Sequence, residues 1–257
     1  MSHIKAFLFD VDGTLADTEE VHRIAFNKAF AQAGLPWNWS RELYNQLLAV
    51  TGGKERIQYF VNDFLAKEQR PQGDLPELAK KLHLSKTEFY VEIVQQGGLP
   101  LRPGVKRLLE EARAKGILLG IATTTSIPNV HTLLESSLGK GSQDWFAVIA
   151  AGDLVKHKKP AADIYEYALQ QLNLQPEECL AFEDSENGLK SARAALLTTI
   201  ITHNPFTMDH DFDGAALVLS DFGEPHAPFT LIAGDAFGKE WFDVELAERI
   251  LAEQLKI

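Results

Sequence analysis

Asp10 and Asp12 stand two residues apart, after the apolar run Phe7-Leu8-Phe9 and just before Gly13 and Thr14. In an extended strand, residues i and i+2 face the same side. This spacing therefore brings two carboxylates together where a buried strand reaches the surface, with Val11 turned into packing. Gly13 lets the chain turn at once. Like charges this close raise a carboxylate pKa. A divalent cation removes that cost, and oxygen ligands suit magnesium. A solvated turn uses the same residue types, but a buried strand ending in an Asp pair is an odd way to build one.

Three further stretches carry chemistry-bearing side chains. Thr123-Thr124-Thr125-Ser126 follows an apolar run. Its hydroxyls and N–H groups suit a phosphate at a strand-to-helix turn, or equally a cluster of helix caps. Lys156-His157-Lys158-Lys159-Pro160 is the main positive patch of an acidic chain; such runs are otherwise solvated loops. Glu183-Asp184-Ser185 ends another apolar run, either as cation ligands or as carboxylates capping the helix expected after it.

The elements that must position these groups follow from periodicity. Residues 4–10 are apolar on both faces, as in a parallel sheet. Residues 19–33 have helical spacing and end at Gly34-Leu35-Pro36. Helices are expected over 40–50, 54–67, 75–84 and 85–96, with no strand between 16 and 100. Beyond Pro103 the chain alternates: helix 105–115, strand 117–122, helix 127–137, strand 147–150, helix 162–172, strand 179–183, helix 188–195, then strands at 199–202 and 216–219. Alternation of this kind predicts an α/β fold, a Rossmann-like core with a parallel sheet covered on both faces. An all-helical insert is spliced in after the first strand. The expected division is 1–16 with 98–257 as the core and 17–97 as the helical domain. In the tail a helix fits 244–255, while the segment from 229 up to it, with Gly234 and Gly238, matches no pattern. In open α/β sheets, ligands bind beyond the carboxyl ends of the strands, where all four stretches fall.

The 257 residues allow one large core or two modest ones. Lys and Arg total 25 against 36 Asp and Glu, a net charge of −11. That excludes broad binding to nucleic acid or anionic membranes and requires a local positive site for any phosphorylated ligand. Cys179 is the only cysteine, which excludes an intrachain disulfide and a cysteine-rich zinc site; it reads as a packed thiol. No apolar run approaches membrane-spanning length, and Met1 lies too close to Asp10 for a cleaved targeting segment. A cytoplasmic enzyme is expected. Its oligomeric state stays open, a monomer being compatible with the sequence.

Asp10-Val11-Asp12-Gly13-Thr14 resembles the first motif of the haloacid dehalogenase superfamily, whose members are mostly phosphatases. Thr123-Thr124, Lys159-Pro160 and Glu183-Asp184 resemble its later motifs, in order, over about residues 4–205. Ala162 stands where the family often has a second Pro. The resemblance implies that Asp10 attacks phosphorus and that Asp12 is general acid and base. It implies that Thr123, the Thr124 N–H and Lys159, rather than Lys158, hold the phosphoryl oxygens. Mg2+ would be held by the Asp10 side chain, the Asp12 carbonyl and Asp184, with Glu183 as a further ligand or as a holder behind them.

The insert should select the substrate. His22 matches a substrate- and acid-contacting His of β-phosphoglucomutase relatives, and Lys86 a Lys of the same relatives; Thr125 extends the phosphate turn. Gly53, Lys54 and Arg56 join glycine to cations and suggest a second phosphate. The run from Asp10 to Ala16, Glu19-Glu20, His22, the stretch from Thr51 to Arg56, the hydroxyl cluster and Lys158-Lys159-Pro160 look most like CbbY-type phosphatases. That resemblance implies a small-molecule partner, xylulose 1,5-bisphosphate, an inhibitor of Rubisco, with Glu19, Tyr44 and Lys54 touching sugar or distal phosphate. A phosphosugar mutase using the same groups and a non-catalytic binding module of this fold are the alternatives; a dehalogenase needs neither Asp12 nor magnesium.

Overall fold

A computed structural model of the chain describes residues 4–254. Residues 1–3 of the expected core and Leu255, the expected end of the last helix, lie outside the described residues. Among the described residues seven strands form one sheet: β1 (Ala6–Phe9), β2 (Leu118–Ala122), β3 (Phe146–Ala150), β4 (Cys179–Glu183), β5 (Thr198–Thr202), β6 (Leu217–Leu219) and β7 (Leu231–Gly234), in the order β3-β2-β1-β4-β5-β6-β7. The first six are parallel, and β7 is antiparallel to β6. The expected Rossmann-like α/β core is what the chain forms.

β1 lies between β2 and β4, with Phe9 in register with Ile121 and Phe182. It is buried on both faces because alternate residues serve two cores. Phe7 and Phe9 pack with α5 (Val105–Ala114), α6 (Ile127–Leu138) and α9 (Val244–Gln254). Ala6 and Leu8 pack with α7 (Asp163–Leu172) and with Ala192 of α8 (Glu186–Ala194). With its backbone paired on both sides and both faces covered, the strand has only its carboxyl end to present, and Asp10 and Asp12 follow there.

Between β1 and α5 come α1 (Glu19–Gln32), α2 (Arg41–Leu47), α3 (Gly53–Tyr59) and α4 (Leu75–Gly97). Phe26, Phe30, Trp39, Ile57 and Leu82 bury one another in a separate cluster. Two helix expectations change. The helix expected over 54–67 is α3, a π turn at Phe60–Phe64 and a short 3-10 turn at Lys67–Gln69. The two expected over 75–84 and 85–96 are one helix, α4. Leu84 is 58% exposed, so it interrupts the apolar stripe without interrupting the backbone, and the Thr87 hydroxyl donates to the His83 carbonyl one turn earlier.

The unassigned tail has a structural task. β7 closes onto β6, and Phe242 lies against Phe182 and Phe222, with centroids 5.5 and 5.6 Å apart. Arg107 of α5 donates to the carbonyls of Phe242, Phe222 and Gly223, tying the tail to the core. Because Phe242 is fully buried, Phe242→Ala should cost about 3–5 kcal/mol of unfolding free energy. Urea denaturation reads this directly; a loss below about 0.5 kcal/mol, the level of a surface change, would mean that the tail is not part of the core.

Candidate active site

The first motif turns as its glycine allows. Gly13 has φ 82°, and its N–H donates to the Ala16 carbonyl at 2.8 Å. A Cβ at Gly13 would collide with the Asp184 carboxylate and the Asn204 amide. Arg102, only 8% exposed, donates to the Thr202, His203 and Ser220 carbonyls at 2.7, 2.5 and 2.7 Å and to the Gly13 carbonyl. One guanidinium thus pins the turn after β1 to the ends of β5 and β6. Nothing in the local sequence around Arg102 announces this role.

Asp10, Glu183 and Asp184 are buried together, each offering an oxygen within 4.8 Å of the others. Lys159 lies against them, 2.6 Å from Asp10 Oδ1 and 2.5 Å from Glu183 Oε1. Burial pushes the Asp10 carboxyl up to about 7, with Lys159 opposing that rise and Glu183 and Asp12 adding to it. Burial and the charges of Asp10 and Glu183 push Asp184 well above the usual carboxylate range. The Lys159 ammonium is raised: burial alone would lower it, but Asp10 and Glu183 more than compensate.

These residues fit a divalent cation. The donors are all oxygen, as a hard cation requires. One ammonium faces three buried carboxylates, and the Asp184 side chain has the Asn204 amide at 2.7 Å as its hydrogen-bond donor. The ligand set differs from a simple acidic cluster in one respect. Glu183 Oε1 also accepts from the Tyr165 hydroxyl at 2.6 Å, and Oε2 lies where a Cβ on residue 188 would be. Glu183 Oε1 therefore holds Lys159, while Oε2 is buried without a hydrogen-bond partner, and the geometry serves both expectations for this residue.

Of residues 183–185, it is Ser185 that caps the following helix. Its hydroxyl accepts from the Gly188 N–H at 3.2 Å and caps α8, which frees Asp184. In the basic run, Lys159 reaches Asp10. Lys158 goes instead to Glu55 and Asp153, both at 3.1 Å, and His157 to Asp163 at 2.9 Å. In the hydroxyl cluster, Thr123 is buried and accepts from the Thr125 N–H at 3.3 Å; Ser126 occupies the N-cap of α6 without a side-chain cap bond. Thr123, Thr124 and Thr125 all line the cavity described next.

A cavity of about 100 Å³ opens over the ends of β1, β2 and β4 and is roofed by α1, α3 and α4. Asp10, Asp12, Lys159 and Asp184 line it below. Glu19, His22, Gly53, Arg56 and Lys86 line it above. The two remaining expected contacts do not reach it. Tyr44 is fully buried behind the wall, donating to Glu19 at 2.7 Å and accepting from Arg56 at 2.9 Å. It fixes both neighbours and does not itself face the cavity. Lys54 turns outward to Asp153 at 2.5 Å.

Asp12 points away from the acidic triad. The Thr18 hydroxyl donates to its Oδ1 at 2.7 Å, and His22 Nε2 lies 2.9 Å from the same oxygen. On the far side of the ring, Lys86 Nζ is 2.7 Å from His22 Nδ1. An ammonium can only donate, so Nδ1 accepts and Nε2 carries the hydrogen that faces Asp12. The ring is stacked on Tyr90, with centroids 4.4 Å apart. Burial alone would lift the Asp12 carboxyl, but His22, Thr18 and Lys86 hold it below the usual range. Burial brings the Lys86 ammonium down to about 8, although Asp12 supports its charge. The two aspartates, separated only by Val11, therefore sit in opposite environments: burial works against the charged form of Asp10, while His22, Thr18 and Lys86 favour that of Asp12.

Sequence reasoning missed Arg102, Tyr165, Asn204 and His83. His83 lies one helical turn before Lys86, a relation hidden once the helix is split at Leu84.

The sequence model of the haloacid dehalogenase-like hydrolases matches residues 4–195. Protein CbbY of Rhodobacter capsulatus is 51% identical over 214 residues, covering 82% of this chain and 91% of that protein. Two crystal structures of CbbY from Rhodobacter sphaeroides each cover 86% of this chain and 96% of theirs. One, in complex with phosphate, is 45% identical with TM-score 0.80; the other, a mutant in complex with xylulose 1,5-bisphosphate, is 46% identical with TM-score 0.81.

Proposed function

The chain belongs to the haloacid dehalogenase-like hydrolase family and is a phosphatase of it, and from that premise we propose that it hydrolyses xylulose 1,5-bisphosphate with Mg2+ through a phosphorylated Asp10. The observation that carries this reading is a single cavity with Lys159 and the carboxylates of Asp10, Asp12 and Asp184 on the sheet side and Arg56 and Lys86 on the helical side. Such a cavity suits a small molecule charged at both ends.

In this reading Asp10 attacks phosphorus, and its carboxylate forms the covalent intermediate. Lys159, fixed by Glu183, together with Thr123 and the Thr124 N–H, stabilises the charge on the phosphoryl oxygens. Asp12 rests ionised. The approach of phosphate charge raises its pKa, so that it takes up the proton it passes to the leaving sugar oxygen, and later accepts one from water. His22 and Lys86 fix its orientation. Asp10, Asp184 and the Asp12 carbonyl would hold Mg2+, which when bound offsets negative charge between carboxylate and phosphate. The helical segment 17–97 serves as the substrate-selecting cap over a core of 1–16 and 98–257; the separate apolar cluster of the insert supports that division. No helix among the described residues is long and apolar enough to cross a membrane. The single buried thiol is compatible with the cytoplasmic setting that belongs to this proposal.

Phosphate release from xylulose 1,5-bisphosphate, ribulose 1,5-bisphosphate and β-glucose 1-phosphate, with Mg2+ or with chelator, tests the reading. The highest kcat/KM is expected for xylulose 1,5-bisphosphate, with turnover abolished by chelation and restored by added Mg2+. Conversion of β-glucose 1-phosphate to another glucose phosphate, without release of inorganic phosphate, would identify a mutase instead.

A further inference from the structure

The helical wall of the cavity is mostly committed. Lys86 is bound to His22, while Arg56 and Glu19 are both bound to Tyr44. His83 lines the same wall, and among the described residues its ring makes no hydrogen bond. With Thr124 it also borders a neighbouring cleft formed by Ser126, Gly152, Asp153 and Lys158. The ring thus stands opposite the phosphate turn, where the cavity meets that cleft. Its approach depends on Gly53: a Cβ there would lie 2.5 Å from His83 Cδ2 and 2.9 Å from Nε2.

We propose that His83 is a specificity-determining residue, whose ring hydrogen-bonds the non-reacting end of a sugar phosphate and so selects it over a phosphate ester lacking that end. The proposal rests on the sugar-phosphatase reading above and adds a residue to it. The charged groups facing the ring are Lys86 on its own helix, Lys54 on α3, and Lys158 and Asp153 on the loop after β3. Burial, then these three ammoniums, bring the His83 imidazole down to about 3, with Asp153 weakly opposing. The ring is therefore neutral at working pH and presents one donor and one acceptor. It adds directional recognition to a wall already rich in positive charge. A buried polar group left unpaired when a ligand lacks its counterpart is a strong basis for discrimination.

The test compares wild type with His83→Phe, His83→Asn and Gly53→Ala. Each is assayed for kcat and KM on p-nitrophenyl phosphate and on whichever sugar phosphate of the panel the wild type prefers. His83→Phe keeps a ring without a hydrogen bond. It should lower the ratio of kcat/KM values, sugar phosphate over p-nitrophenyl phosphate, by on the order of tenfold, the loss falling mainly on KM for the sugar phosphate. His83→Asn should recover much of the ratio. Gly53→Ala displaces the ring without changing it and should lower the ratio too, which covers the case in which His83→Phe does not fold. A ratio within twofold of wild type in the folded His83→Phe variant or in Gly53→Ala, or His83→Asn no better than His83→Phe, overturns the proposal. A wild-type preference for another sugar phosphate defeats the xylulose 1,5-bisphosphate assignment while the ratio on that compound still tests His83.

Discussion

Asp10→Asn should reduce phosphate release by on the order of 10⁴-fold or more, the scale seen when a covalent nucleophile is removed, and should leave the protein folded. The amide is nearly the shape of the carboxylate, so the packing at the end of β1 is kept. What is lost is the proposed nucleophile, one of three clustered carboxylates and the one that pairs with Lys159 at 2.6 Å. In the metal-free protein, burial, Glu183 and Asp12 all work against the charged form of Asp10, while Lys159 favours it. These effects oppose one another, so the change in unfolding free energy should stay within about 1 kcal/mol. Single-turnover assays, with mass spectrometry to exclude deamidation back to Asp, give the rate; circular dichroism gives the fold. Wild-type turnover in an intact Asn variant would remove Asp10 from the nucleophile's role.

Lys159→Ala should damage stability and rate together. The ammonium lies 2.6 Å from Asp10 and 2.5 Å from Glu183, and the side chains of all three are at most 10% exposed. Breaking a buried ion pair by removing one partner costs about 3–5 kcal/mol, because the other charge is left uncompensated. Loss of a preorganised donor to the phosphoryl oxygens should cost a further 10²–10³-fold or so in kcat. The folded-state pKa of Lys159 is raised. Its contribution is therefore complete below the unfolded lysine value of about 10.4 and is lost only as pH rises through the higher folded value. Lysine titration cannot erase the stability deficit anywhere in the neutral range. Thermal melts at pH 6, 7 and 8, each about one unit apart and all far below that value, should show the deficit throughout. Partial recovery of rate with added methylamine would separate the charge from the fold. A variant with normal stability and normal kcat would show that the Asp10–Lys159–Glu183 contact is not needed for either.

Both predictions involve residues that are distant in sequence. Lys159 is 149 positions from Asp10, yet its identity was readable because the family motif places it before Pro160. Lys158 beside it has the same chemistry and a different fate, bound to Glu55 and Asp153. Lys54 reads as a ligand for a distal phosphate because it follows two glycines, but its ammonium sits on Asp153. No pattern in the sequence distinguishes a cation pointing inward from one pointing outward, since a flexible side chain goes where the nearest opposite charge has been placed. Tyr44 shows the same limit: its hydroxyl supports Glu19 and Arg56 from behind the wall.

Local sequence was enough to place the alternating strands and helices from β1 to β6, the helical nature of the insert, and the acidic pair that marks the end of β1. These depend on local period and turn chemistry: alternate residues of a strand share a face, and Gly13 frees the next step of the chain. Tertiary structure alone decided that Arg102 ties the Gly13 carbonyl to β5 and β6, that β7 closes the sheet in the antiparallel sense, and that α4 runs unbroken past Leu84. It also decided that Asp12 faces His22 while Asp10 faces Lys159. The physical reason is the same in each case. Burial and charge pairing act between groups that only the folded chain makes neighbours, and their strength depends on the water excluded around them.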